Sequence, residues 1–140
     1  CVFRQWKAEG THCRFLHGYG VSFRVWFEGE LDHRNWVWDF GGMKRSKTQI
    51  NGMSPKDYFT WLLDHTTVIA MDDPHLESFK QLSSEGLIQL RIIPATGCEK
   101  FAEHLYTKIN TFLKEETEGR VKAVLVEVYE HEKNSASYGQ

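Results

Sequence analysis

Apolar and polar positions alternate most clearly over residues 19–28, where Val21, Phe23, Val25 and Phe27 share one face, the period of a half-buried strand. Residues 2–9 alternate in part and predict a strand before it. Between the two lies Gly10 to Gly18, with two glycines, two histidines and a cysteine, read as a functional loop joining antiparallel strands. Trp36 to Phe40 is a short apolar run ended by Gly41-Gly42, a brief strand leading into a helix. Ser54-Pro55-Lys56-Asp57 opens a helix: Ser caps, Pro fits the first turn and Asp57 completes a capping-box pattern. Tyr58, Trp61 and Leu62 supply its apolar stripe. Pro74 opens a second helical stretch with Leu76, Phe79 and Leu82. Residues 87–93 predict a strand. Residues 98–115 predict the longest helix, because Phe101, Ala102, Leu105, Ile109, Phe112 and Leu113 recur at helical spacing, and Gly119 breaks it. Residues 121–130 predict the last strand and Lys133 to Ser137 a loop. The order is β-β-α-β-α-β, an α+β pattern that predicts an antiparallel sheet with helices on one face. Its open edges invite pairing with another copy of the chain.

The 140 residues fit one domain, residues 1–140, with no internal repeat or linker. With 41% apolar and 26% charged residues, the composition is that of an ordinary globular chain. A net charge of −2 gives no basic excess for tracking phosphates, so no nucleic-acid partner is expected. No apolar run approaches the roughly 20 residues that span a bilayer, and residues 1–6 carry no apolar signal core. Three cysteines make no disulfide framework and point to reduced thiols in the cytoplasm. Seven histidines direct attention to metal or acid–base chemistry.

Three places carry candidate chemistry. The first is His12-Cys13-Arg14-Phe15-Leu16-His17-Gly18-Tyr19. Imidazole and thiolate are ligands that zinc prefers, Cys and His also form nucleophile–base pairs, and a polar loop with incidental histidines reads the same way. The second is Asp64-His65, where adjacent side chains are expected to face apart, so that a third group must complete a relay; a solvated helix end is the alternative. The third is Glu130, which follows Val124, Val126 and Val128 at alternating spacing and so shares a buried face, unless the strand ends before it. A carboxylate on that face needs a cationic or N–H partner. Glu99, in the first turn of the long helix, also suits the helix dipole.

In their order these pieces resemble the 6-pyruvoyl/6-carboxy-tetrahydropterin synthases. The family pattern is a Cys shortly before His-Gly-His, then V-x-D-F-x-x-L-K, L-D-H, a helix opened by T-x-E-N, and a last strand ending in Glu. Here stand Cys13 with His17-Gly18-Tyr19; Val37, Asp39, Phe40 and Lys44; Leu63-Asp64-His65; Gly97-Cys98-Glu99; and Glu130, with Ala136 and Tyr138 beyond. The resemblance implies a T-fold, a four-stranded antiparallel sheet with helices on one face, assembled as a homohexamer of two trimers that binds a pterin at subunit boundaries. It implies Cys13, Asp64 and His65 as catalytic residues, Glu130 and Glu99 as substrate-binding ones, and a zinc held by three histidines.

Two departures qualify that implication. Tyr19 stands where the second histidine of His-Gly-His belongs, so one of the three zinc histidines is missing, leaving His17 and, by sliding along the loop, His12 as metal candidates. Gly97 stands in place of the helix-opening Thr. The implied activity is a lyase on dihydroneopterin triphosphate that makes 6-carboxytetrahydropterin, a queuosine precursor. The alternatives are the pyruvoyl-type triphosphate lyase and a metal-free pterin- or purine-binding protein.

Overall fold

The computed structural model describes all 140 residues. The two best alternating segments pair with each other: β3 (Ser22–Gly29) runs antiparallel to β6 (Val121–His131), and β7 (Asn134–Gly139) adds on the far side of β6. Phe23, Val25 and Phe27 face inward from β3. On β6 a bulge interrupts the expected alternation. Trp26 pairs with Leu125 and Phe27 with Ala123, so Val124 is the extra residue. The inward set is therefore Val121, Ala123, Val126 and Val128, and Val124 is half-buried. A second irregularity falls between Tyr129 and His131 and leaves Glu130 unpaired.

The remaining strands form a second sheet: β1 (Val2–Phe3), β2 (His17–Gly18), β4 (Thr67–Ala70) and β5 (Leu90–Ile93), in the order β2-β1-β4-β5. The pair β1–β2 is antiparallel, whereas β1–β4 and β4–β5 are parallel. The chain is α+β, but its seven strands divide between two sheets, in place of the one four-stranded antiparallel sheet expected. The expectation missed β4 because all four of its residues are buried and nothing alternates. It missed β7 because Asn134, Ser135 and Ser137 make a polar edge strand that reads as loop.

Three helices cover these sheets. In α1 (Pro55–Leu63), Ser54 Oγ accepts from the Asp57 N–H at 3.2 Å, and Tyr58, Phe59, Leu62 and Leu63 are buried. α2 (Leu76–Ser84) starts two residues later than Pro74 and buries Phe79. α3 (Cys98–Glu116) lays its stripe across β6 and β7. It ends as Glu118 and Gly119 turn left-handed at φ 54° and 82° and the Gly119 N–H reaches back to the Lys114 carbonyl.

Other boundaries shift. The first strand shrinks to Val2–Phe3 before the chain turns, and the 87–93 strand begins at Leu90. Residues 36–40 form no strand; Phe40–Met43 is a 3-10 turn capped by the Asp39 carboxylate. No helix is long and apolar enough to cross a membrane.

One apolar core runs from α3 and β6 to Phe3, where the sheets meet. Phe3 is fully buried, its ring edge-on to Phe101 at 4.9 Å and tilted against His17 at 4.7 Å. The core thus reaches the loop that carries the histidine and cysteine cluster.

Candidate active site

The loop between β1 and β2 is tied down at several points. The Arg4 guanidinium holds Asp73 through two 2.8 Å bonds and donates to the Arg14 carbonyl. The Asp73 side chain is only 1% exposed. Burial works to raise its carboxyl, but Arg4 and the His75 N–H outweigh that and hold it below the ordinary range. The Gln5 N–H bonds the Cys13 carbonyl at 2.8 Å, and Thr11 caps the 3-10 turn His12–Arg14 by accepting from the Cys13 N–H. Cys13 is exposed on this pinned turn.

Beyond it, His17 Nδ1 lies 2.6 Å from the Phe15 carbonyl. Because a carbonyl can only accept, Nδ1 is the donor in this bond. The Tyr19 ring stands edge-on to His17 at 5.2 Å, tilted against Phe3 at 6.0 Å and against His131 at 6.2 Å. Burial raises the phenol above its ordinary pKa, helped by the negative charges of Glu130, Cys13 and Cys98. Those groups are therefore its electrostatic neighbours.

Three clefts meet at this ring. One of about 490 Å³ runs between β3 and α1, with Phe23, Lys44, Lys56 and Asp64 in its wall. One of about 660 Å³ contains Arg24, Glu130 and His131. The third, about 740 Å³, contains Asp64, His65 and Gln89. Tyr19 and Gly20 line all three. The two ends of the site predicted from sequence, Glu130 and the Asp64–His65 pair, thus flank one tyrosine.

Each end has a local cause. Glu130 is half-buried where the bulge leaves it unpaired, a place where sheets re-aim side chains. The Cys98 thiol is buried at the start of α3, and Glu130 is among the groups that act on it electrostatically. Burial pushes that thiol up to about 12, and the Glu130 charge adds to the shift. At the other end Asp64 caps α1 and His65 follows in the left-handed region at φ 56°. That turn brings adjacent side chains together: His65 Nδ1 lies 2.9 Å from Asp64 Oδ1. The pair needs no third segment, contrary to the expectation from their adjacency, and His65 Nε2 is left free.

The remaining candidates stand apart. His12 is exposed on the Cys13 turn, and Glu99 is exposed in the first turn of α3; neither lines these clefts. Cys13 borders the site only through its effect on Tyr19. No three side chains of His, Cys, Asp or Glu converge as a metal site needs. His17 and His12 therefore do not make the closed zinc site that the resemblance implied, and no zinc-dependent step follows from this arrangement.

Gly97, in place of the expected Thr, has φ 111°, and a Cβ there would strike the Gln5 side chain. Gln5 thus fills the space a larger residue would need. Sequence reasoning missed Cys98 and His131. Cys98 was within reach, since it stands three and four residues before Phe101 and Ala102 and extends the α3 stripe by one turn.

The chain is thus an α+β fold in which a hydrogen-bonded Asp–His pair and a carboxylate lie on either side of one tyrosine, where three clefts meet. The model of the 6-pyruvoyl tetrahydropterin synthase family matches residues 2–140, and the chain belongs to that family. In fold it is similar to an uncharacterized protein from Wolinella succinogenes in its crystal structure, at 19% identity and a TM-score of 0.78 over 99% of this chain and 92% of that one. No curated protein sequence matches significantly.

Proposed function

We propose that the chain is a T-fold lyase that acts on dihydroneopterin triphosphate and yields 6-carboxytetrahydropterin with loss of triphosphate and acetaldehyde. The observation that carries this is the joined concavity with Glu130 on one side of Tyr19 and the bonded Asp64–His65 pair on the other. The Glu130 carboxylate accepts two N–H bonds from the pyrimidine edge of the pterin, a match of charge and geometry. His65, with Nδ1 held by Asp64, presents Nε2 as the group that gives or takes a proton. The Cys13 thiol is the second proton carrier, on a turn held by Gln5 and Thr11. Glu99 lines none of these clefts, so its role as second substrate contact needs a site completed by another subunit. The pair stands open to solvent, so a homohexamer that closes the clefts at subunit boundaries is part of the reading.

The absence of three converging metal donors favours a second reading, a metal-free pterin- or purine-binding protein. Incubation with dihydroneopterin triphosphate and mass spectrometry of the products separates the two. A 6-carboxy product supports the lyase, a 6-pyruvoyl product moves it to the sister reaction, and unchanged substrate with measurable pterin binding leaves the binding protein. Sedimentation of a monomer at micromolar concentration removes the subunit-boundary site.

A further inference from the structure

Between the carboxylate that would hold a pterin ring and the imidazole that would move a proton, the chain places a neutral hydrogen-bond donor shared by all the clefts. Tyr19 lines every one of the joined clefts. Its ring is fixed from several sides by Phe3, His17 and His131. Its oxygen meets no hydrogen-bonding group among the influences on its ionisation. Because no buried side-chain oxygen or nitrogen in the chain lacks a partner, the phenol opens onto the cleft. Other donors in the walls are less well placed. Arg24 packs its guanidinium against the Tyr129 ring at 5.5 Å, and Lys44 and Lys56 line only the cleft beside α1.

Proton transfer next to an oxygen-bearing carbon builds negative charge on that oxygen, and a preorganised donor in a partly dry site stabilises it. We infer that Tyr19 is a catalytic residue whose phenol O–H hydrogen-bonds the oxygen carried on the side chain at position 6 of the pterin, at the point between Glu130 and His65 where that charge develops. The phenol keeps its proton throughout, and no bond of the tyrosine is made or broken. This inference rests on the pterin reading but not on turnover.

The test compares two probes by calorimetry: pterin with hydrogen at position 6, and 6-carboxypterin, whose carboxylate puts an anionic oxygen where the substrate oxygen would lie. Tyr19→Phe keeps the ring and its packing, so the thermal midpoint should stay within about 2 °C. The variant should bind 6-carboxypterin about tenfold or more weakly, as expected for losing a hydrogen bond to a charged oxygen, and unsubstituted pterin within twofold of wild type. Equal loss on both probes, or no loss on 6-carboxypterin, overturns the assignment. Should wild-type protein bind both probes yet leave dihydroneopterin triphosphate intact, the lyase reading fails while the Tyr19 contact is still decided by the two affinities. Binding of neither probe to wild type overturns both. Where turnover is present, Tyr19→Phe should lower kcat about 100-fold or more, in the range for removing one such donor, with metal-stripped wild type as the reference.

Discussion

Glu130 and the Asp64–His65 pair line different clefts that meet at Tyr19, and they are held in opposite ways. Glu130 grows out of the core: it follows the fully buried Val126 and Val128, sits in a bulge and acts electrostatically on the buried Cys98 thiol. The Asp64–His65 pair stands in solvent, with side chains 62% and 86% exposed, and one hydrogen bond defines it. An exposed pair of this kind is worth little by itself, and its backbone is in a conformation that costs a non-glycine residue free energy. The contrast fits a division of labour. On the proposed function, recognition would belong to the packed sheet and proton transfer to the open turn.

The sharpest way to break this comparison is to remove the recognising end. Glu130→Ala should weaken pterin binding by about 2 kcal/mol or more, roughly 30-fold, because two bonds to a charged acceptor are lost. The same measurement on His65→Ala should change affinity less than threefold while turnover falls. Calorimetry that finds the larger loss of affinity in His65→Ala would reverse the assignment of the two ends.

Next is the buried Cys98 thiol, on which Glu130 acts. Cys98→Ala should cost about 1–2 kcal/mol of stability in chemical denaturation, from the lost buried atom and the cavity it leaves. The thiol's folded pKa of about 12 lies above the ordinary value near 9. Its protonated form is thus the one the fold favours, and the stability it contributes is intact below pH 9 and drains away as pH rises towards 12. In native protein at pH 8, a thiol reagent should modify the exposed Cys13 and spare Cys98. Rapid labelling of Cys98 under those conditions would mean that this end is not packed as described.

How much of this contrast could be read beforehand depends on what each part buries. α3, β3 and β6 bury one face against water on the other, so Phe101 to Leu113 and Phe23 to Phe27 announce themselves by period. Glu130 could be placed on the core side for the same reason. The bulges could not, because an extra residue such as Val124 leaves the composition of a strand unchanged while shifting its phase. β4 is buried on both faces and has no period to read. The left-handed turn at His65 has no glycine to mark it, so the bonded pair was invisible although both residues were singled out. His12 and His17 looked like a ligand set because they are near in sequence. The pinned turn instead leaves His12 exposed and packs His17 against Phe3.

Acid should loosen the exposed end first. Tyr58 on α1 lies 2.8 Å from His104 Nε2 on α3. Burial, and then the charge of Lys108, holds His104 below its ordinary value of 6.5. The neutral ring accepts from the phenol, and a protonated ring could not. A base with a depressed folded pKa contributes stability that is present above 6.5 and lost as pH falls below it, since the unfolded chain takes the proton first. Hydrogen exchange at pH 7 and pH 5 should therefore show α1 amides, next to Asp64, losing more protection than those of β6. His104→Asn should remove most of that difference. Equal losses in α1 and β6 would mean that the two ends are not separately stabilised.

The smallest effect should carry the opposite sign from all the others. His65 holds φ at 56°, which glycine adopts without the steric cost a Cβ imposes. His65→Gly gives up the exposed bond to Asp64, which contributes little, and gains more freedom in the unfolded chain, which opposes the relief of strain. The net expectation is a stabilisation of about 0.5 kcal/mol or a near-neutral change, together with loss of turnover. Asparagine tolerates the left-handed region better than most residues with a side chain, so His65→Asn should fall between His65→Gly and His65→Val in thermal midpoint while remaining inactive. That outcome would fit a residue kept in a costly conformation for its imidazole. If His65→Gly instead destabilises by more than about 1 kcal/mol, the side chain is part of the fold, and the exposed end is a structural turn.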